Sequence, residues 1–168
     1  IIEEGVDVAI RLGTLSDSNL ISRSLGTSQR ALLASRAYRA RQSEAPWPIT
    51  QPSDVPHHNC IVYTGQNHPY DWDFKARDGS MITVHVSGNV QTNSSEVIRA
   101  GCLAGMGLCY SPLWLFEKEI ASGEVEILLP NWPKLEIGIH AVMAPHRSKS
   151  TKVRSLVDFL AAALRASP

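Results

Sequence analysis

Thr92-Asn93-Ser94-Ser95 sets four hydrogen-bonding side chains in a row, directly ahead of an apolar, helix-forming stretch. A helix start leaves backbone N–H groups without intrahelical partners and carries the positive end of the helix dipole, so this run is a natural seat for a small carboxylate. The same residues also make an ordinary helix cap, with Asn93 or Ser94 capping and Glu96 three positions after Asn93, the spacing of a capping box. Arg11 is the second unusual residue. It stands at the carboxyl end of an otherwise apolar strand, just before Gly13-Thr14, where a guanidinium can fork onto a carboxylate or pair with an acid such as Asp17.

Catalytic chemistry finds little footing. No G-x-S-x-G is present, and Ser28 in Gly26-Thr27-Ser28 lacks the following glycine of a nucleophile turn. The six histidines include the pair His57-His58, but sequence neighbours point apart, and no H-E-x-x-H or C-x-x-C accompanies them. Gly101, Gly105 and Gly107 lack the preceding strand and the spacing that phosphate binding needs. Cys102 and Cys109 lie among Leu, Ala, Met and Tyr, a setting for buried packing thiols rather than a redox couple. The expectation is a protein of recognition, with no catalytic residues, no cofactor and no metal.

Composition sets the outer bounds. The 168 residues carry 16 Lys+Arg against 16 Asp+Glu, which excludes nucleic-acid binding by bulk charge. With 43% hydrophobic and 19% charged residues the chain is apolar enough to fold, and no apolar run nears the ~20 residues of a membrane helix. Three cysteines, Cys60, Cys102 and Cys109, are an odd and sparse set that argues for a reducing compartment, the cytoplasm by default. Ile1-Ile2-Glu3-Glu4-Gly5 offers neither initiator Met nor signal peptide and runs straight into a strand, so the chain reads as the continuation of a longer polypeptide.

The positioning elements follow from periodicity. Residues 6–12 read as a buried parallel strand ended by Gly13, and residues 20–34 as an extended segment interrupted by Gly26. Ser35 caps a short helix to Arg41, stopped by Pro46-Trp47-Pro48, and a single turn begins at Pro52. After a strand at 60–63, strands at 72–76 and 81–86 join at Asp78-Gly79 in a tight hairpin. In the stretch 93–104, Val97, Ala100, Gly101 and Ala104 trace one helical face, Gly105 and Gly107 supply the left-handed exit, and 108–110 returns as strand. A helix at 113–121 closed by Gly123, strands at 125–129 and 137–144, and a final amphipathic helix built on Val153, Leu156, Val157, Leu160 and Leu164 complete the chain. Alternating strands and helices predict an α/β protein with mainly parallel sheets, whose ligands sit beyond the carboxyl ends of strands.

Taken together, EEGVDVAIRLG, LLASRAY, NCIVYTG, W-x-F with its Asp-Gly hairpin, SGNVQTNSSEVIRAGCLAGMGLCYSP, LLPNW and KVRSLVDFL resemble the C-terminal regulatory domain of LysR-type transcriptional regulators, of the branch carrying DVAIR-x-G. The resemblance spans nearly the whole chain in order. It implies a two-lobed α/β domain similar to periplasmic solute-binding proteins (type 2), truncated at its N-terminus, with an effector in the cleft between lobes. Lobe one is expected over 1–33 and 135–168 and lobe two over 34–134. Mapped residue by residue, Arg11, Gly13 and Thr14 would face the effector from lobe one, and Thr64, Gly65, Thr92, Asn93 and Ser94 from lobe two.

The resemblance further implies a small, anionic effector, a homodimer that becomes a tetramer at full length, and contact with operator DNA only through a helix-turn-helix absent from this sequence. The rival reading is a periplasmic solute-binding protein for transport, which shares the two-lobed fold. A thiol-based redox sensor of the same family is a third.

Overall fold

A computed structural model describes residues 5–13, 15, 19–42 and 49–166. Thr14, Asp17 and Pro46-Trp47-Pro48, each singled out above, lie outside the described residues. The chain divides into two compact units, one of Ile1–Ser28 with Glu136–Pro168 and one of Gln29–Leu135.

In the first unit, β9 (Leu135–Met143) lies between β1 (Ala9–Leu12) and β2 (Ile21–Ser35). β1 runs antiparallel to β9 with Ala9 opposite Val142 and Arg11 opposite His140, and the Gly13 N–H extends the ladder to the Gly138 carbonyl at 2.9 Å. The expected strand over 6–12 is therefore shorter, antiparallel and half-exposed rather than buried and parallel. After the single turn α4 (Pro145–Ser148), helix α5 (Thr151–Ala166) sets Val153, Val157 and Ala161 into a core with Leu25, Ile139, Ala141 and Met143. That i, i+4, i+8 row turns the buried face away from Leu156, which is exposed, as is Leu164; both were expected inside. Arg23 with Asp158, and Asp7 with Arg147 and Lys152, add exposed ion pairs.

The second unit is built on residues 29–35 of β2, which pair antiparallel with β7 (Cys109–Pro112) and β8 (Val125–Ile127). Ser35 then starts α1 (Arg36–Gln42), its hydroxyl accepting from the Tyr38 N–H at 3.3 Å, as a capping serine does. A 3-10 turn (Pro52–His57) leads to β3 (Ile61–Tyr63), which runs parallel to β6 (Val90–Thr92), and the bridge between Cys60 and Leu108 is parallel too. Between β3 and β6 the hairpin β4 (Asp71–Lys75) and β5 (Met81–His85) turns through Arg77-Asp78-Gly79, with Gly79 alone at positive φ. The turn is thus one residue longer than the tight Asp-Gly turn expected.

From β6 the chain crosses through α2 (Ser95–Leu103) into β7, then runs through a 3-10 turn (Leu113–Phe116) and α3 (Glu117–Ser122) to β8. One core, with Leu32, Ala34, Val62, Trp72, Phe74 and Tyr110, lies under the hairpin; the other, with Leu33, Ile61, Ile98, Cys102, Cys109 and Phe116, lies under α2. The sheets are mixed, not mainly parallel. The physical reason is that β2 is set in reverse: it runs antiparallel to both β7 and β8, which the passage through α3 leaves parallel to each other, just as the β3–hairpin–β6 and β6–α2–β7 passages return parallel strands.

Two further details differ from the periodicity reading. Gly105, at φ +69°, makes the left-handed exit from α2 alone; Gly107 is small because a Cβ there would stand 2.5 Å from the Asn59 carbonyl oxygen. The buried face of α2 is Ile98, Gly101 and Cys102, so the expected face is rotated by about one residue and Val97 is exposed.

Arg99 of α2 donates to the buried carboxylate of Glu119 on α3. Burial pushes the Glu119 carboxyl up, but the Arg99 hydrogen bond, the backbone and the charges of Arg99 and Lys118 outweigh it and hold the group below its ordinary range. A depressed folded-state pKa contributes stability that is present above the unfolded value of about 4.3 and is lost as pH falls through the folded value. Glu119→Gln is therefore expected to flatten the acid side of a melting-temperature profile below about pH 4. An acid limb identical to that of the unsubstituted protein would remove the pair from that role.

Candidate functional site

In the second unit the parallel pair β3/β6 ends with Tyr63 opposite Thr92, and the Thr64 N–H donates to the Thr92 carbonyl at 2.8 Å. This locks together the two carboxyl ends from which Thr64-Gly65 and Asn93-Ser94 emerge. The Thr92 hydroxyl accepts from the Ser94 N–H at 3.1 Å, turning the chain into α2. Ser94 is the capping residue, its hydroxyl accepting from the Val97 N–H at 3.4 Å. With Ser94 as the cap, Glu96 falls one position too early to close a capping box, because the third helical position is Val97. Asn93, freed from capping, is exposed, as are Thr64 and Gly65, while Thr92 and Ser94 are half-buried.

The structure therefore brings Thr64, Gly65, Thr92, Asn93 and Ser94 to one rim, at strand ends and a helix start. A rim of hydroxyls, one amide and first-turn N–H groups donates hydrogen bonds and carries partial positive charge, which suits an anionic group. Arg11 and Gly13 belong to the first unit. Arg11 is exposed on β1 and forms no ion pair with any other described residue, and its cross-strand neighbour His140 has a buried Nδ1 with no hydrogen-bond partner among them.

Two residues of the second unit escaped the sequence reading. Arg30, on β2, donates from Nη2 to Oε1 of Gln66 at 3.1 Å, and its guanidinium carbon lies 5.3 Å from the centre of the Tyr110 ring. Gln66 stands two positions after Thr64, so this bond ties the segment carrying Thr64 and Gly65 back to β2. In sequence Arg30 is only an arginine directly ahead of the apolar run Ala31-Leu32-Leu33-Ala34, and nothing there marks its want of an anionic partner.

The Tyr110 hydroxyl in turn donates to the Asp73 carbonyl at 2.7 Å, and its ring stacks on Phe74 at 4.7 Å. Burial pushes this hydroxyl up, with Arg30 pulling it partly back and Asp73 adding to the rise. The three cysteines are all buried, and burial pushes the Cys60 thiol up to about 12. Cys109 is raised by burial and by Cys102, while the Cys109 thiol lowers Cys102 against the opposing effect of burial. Among the described residues no cluster of His, Cys, Asp or Glu could hold a metal ion, and no helix is long and apolar enough to cross a membrane.

An α/β chain of two compact units, with polar strand ends gathered beside a helix start in the second, has the form of a ligand-recognition domain. Residues 1–165 match the LysR substrate binding domain, and the chain belongs to that family. It is 34% identical over 161 residues to the HTH-type transcriptional regulator DmlR of Escherichia coli (strain K12), covering 95% of this chain and 50% of the relative. It is 29% identical over 160 residues to the HTH-type transcriptional regulator PtxR of Pseudomonas aeruginosa, with the same two coverages. The chain thus spans about half the length of the curated relatives it matches. Among solved structures, the regulatory domain of CrgA, a LysR-type transcriptional regulator from Neisseria meningitidis, superposes with a TM-score of 0.75 at 27% identity, over 97% of this chain and 78% of that one. These relatives are transcriptional regulators, not enzymes.

Proposed function

We propose that this chain is the effector-sensing and oligomerisation part of a cytoplasmic LysR-type regulator, and that its effector is a small anionic metabolite. The observation that carries the reading is the family match over residues 1–165. Support for the anion comes from the second unit, where Thr64, Gly65, Thr92, Asn93 and Ser94 gather at the helix start of α2. The effector acts by population shift, stabilising the arrangement of the domain that it contacts best and so the geometry of attached DNA-binding modules. The oligomer is a homodimer of regulatory domains, and the full-length protein a tetramer that reaches operator DNA through a helix-turn-helix.

Thermal unfolding against aromatic and aliphatic carboxylates, sugars and amino acids tests this. A ligand at about a hundred times its Kd stabilises the native state by ~2.7 kcal/mol, a shift of several degrees. Selective stabilisation by one class of anion is the expected result, and Asn93→Ala combined with Arg11→Ala is expected to abolish it while leaving the ligand-free melting temperature unchanged. Ligand affinity unaltered in the double variant would overturn the assignment of these residues. A shift confined to sugars would favour a neutral effector.

A further inference from the structure

Among the described residues, carboxylates pair with Arg23, Arg39, Arg99 and Arg147, and Arg41 donates to the Gly105 carbonyl. Arg30 has no such anion, although it is mostly buried. Its neighbours are neutral: the Gln66 amide and the face of Tyr110. Its Nε is sealed from solvent with no acceptor among the described residues. Arginine does not give up its proton in a protein, so the group stays charged, and a buried charge without a counter-ion is unfavourable. Burial pulls the guanidinium below its ordinary value, against the opposing pulls of Tyr110 and Asp73. Asp73 acts from beyond ion-pair distance, its own carboxylate accepting from the Thr83 hydroxyl at 2.5 Å.

Beside the guanidinium lies a shallow hollow lined by Arg30, Phe74, Tyr110, Leu129, Trp132 and Lys134 among others, with no Asp or Glu in its wall. It offers a fork of N–H donors, a second cation and apolar surface, all within the second unit. A guanidinium matches a carboxylate atom for atom, two N–H groups to two oxygens, and aromatic walls accept a ligand's apolar body. We propose that Arg30 is the carboxylate anchor of this unit: a small monocarboxylate forks onto its guanidinium from the hollow. The proposal rests on the reading of the domain as an anion sensor and adds the residue and the head group. Gln66 links the anchor to the segment bearing Thr64 and Gly65, so a carboxylate drawing on the guanidinium competes for the Nη2–Gln66 hydrogen bond and is felt at the rim.

Nuclear magnetic resonance of the nitrogen-15-labelled chain reads this directly, with the Arg30 Nε–H signal identified by its loss in Arg30→Lys. Sodium acetate and sodium benzoate are titrated in parallel with benzamide and sodium chloride. Both carboxylates are expected to move the signal saturably, and benzamide and chloride to leave it in place. Arg30→Lys, which keeps the charge but loses the fork, is expected to weaken carboxylate binding by about tenfold. A fixed Arg30 signal while the Asn93 and Ser94 amides respond would leave the anion-sensing rim standing and overturn Arg30 as its anchor. No response anywhere would remove both. Arg30→Met that melts earlier yet binds acetate and benzoate as before would make Arg30 structural and likewise overturn the proposal.

Discussion

Gly88→Ala is expected to lower the stability of the second unit by about 3 kcal/mol or more, and to take the carboxylate response with it. A Cβ at this position would lie 1.7 Å from the Cys60 carbonyl oxygen, 2.6 Å from its carbon and 2.8 Å from its nitrogen. All three are backbone atoms, so no side chain can rotate out of the way. Overpacking typically costs ~1–3 kcal/mol where neighbours can adjust, and here the adjustment must move a strand. The Cys60 N–H bonds the Ser87 carbonyl at 3.0 Å, and Ile61 begins the parallel ladder to β6, so displacing Cys60 displaces the pair of strands whose ends carry Thr64 and Thr92. Urea unfolding measures the first effect and carboxylate titration the second. An alanine variant with an unchanged midpoint would show that the close approach is relieved at no cost.

Phe116→Ala follows in size. Its ring is 0% exposed at the centre of the core formed with Leu33, Ile98, Cys102, Cys109 and Val125. Deleting a buried phenylalanine costs ~3–5 kcal/mol, the transfer term plus the cavity left behind. Against a total of ~5–15 kcal/mol for a typical domain, that is a large fraction of the margin. Leu156→Ala is the matched control, because Leu156 is 47% exposed on α5 and a surface exchange of this kind changes stability by about 0.5 kcal/mol or less. Equal losses in the two variants would contradict the core assignment.

Much of the fold was legible because it rests on short-range rules. Ser35 caps the helix that follows it, Gly105 and Gly123 take the left-handed conformation at helix ends, and an Asp-Gly pair turns the hairpin; each follows from the steric freedom of one or two residues. Strand direction was not legible. A buried strand between two cores shows the same apolar run in either direction, so the antiparallel partners of β2 left no mark on residues 29–35. The faces of α2 and α5 were each misjudged at their margins, because helical period says which residues share a side and tertiary packing decides how far that side is turned.

The candidate rim divides in the same way. Thr92 to Ser94 were visible as a polar run at a helix start, whereas the partnership of Thr64 with Thr92 exists only once β3 and β6 lie in register. Ser94 rather than Asn93 proved to be the cap, a difference of one residue that no capping preference resolves, since both side chains are good acceptors. Arg30 was missed for another reason. Its interest comes from what it lacks, an anionic partner in a buried setting, and a missing partner has no signature in sequence.

Residues 31–35 of β2 are buried throughout, with Ala31 and Leu33 facing the core under α2 while Leu32 and Ala34 face the core under the hairpin. Because side chains alternate strictly along a strand, adding or deleting one residue here would hand each core the side chains cut for the other. Evolutionary drift in this stretch is thereby narrowed to exchanges of one apolar group for another of similar volume. The exposed Arg77-Asp78-Gly79 turn is under no such restriction, and it is there that descendants of this sequence are free to change in length.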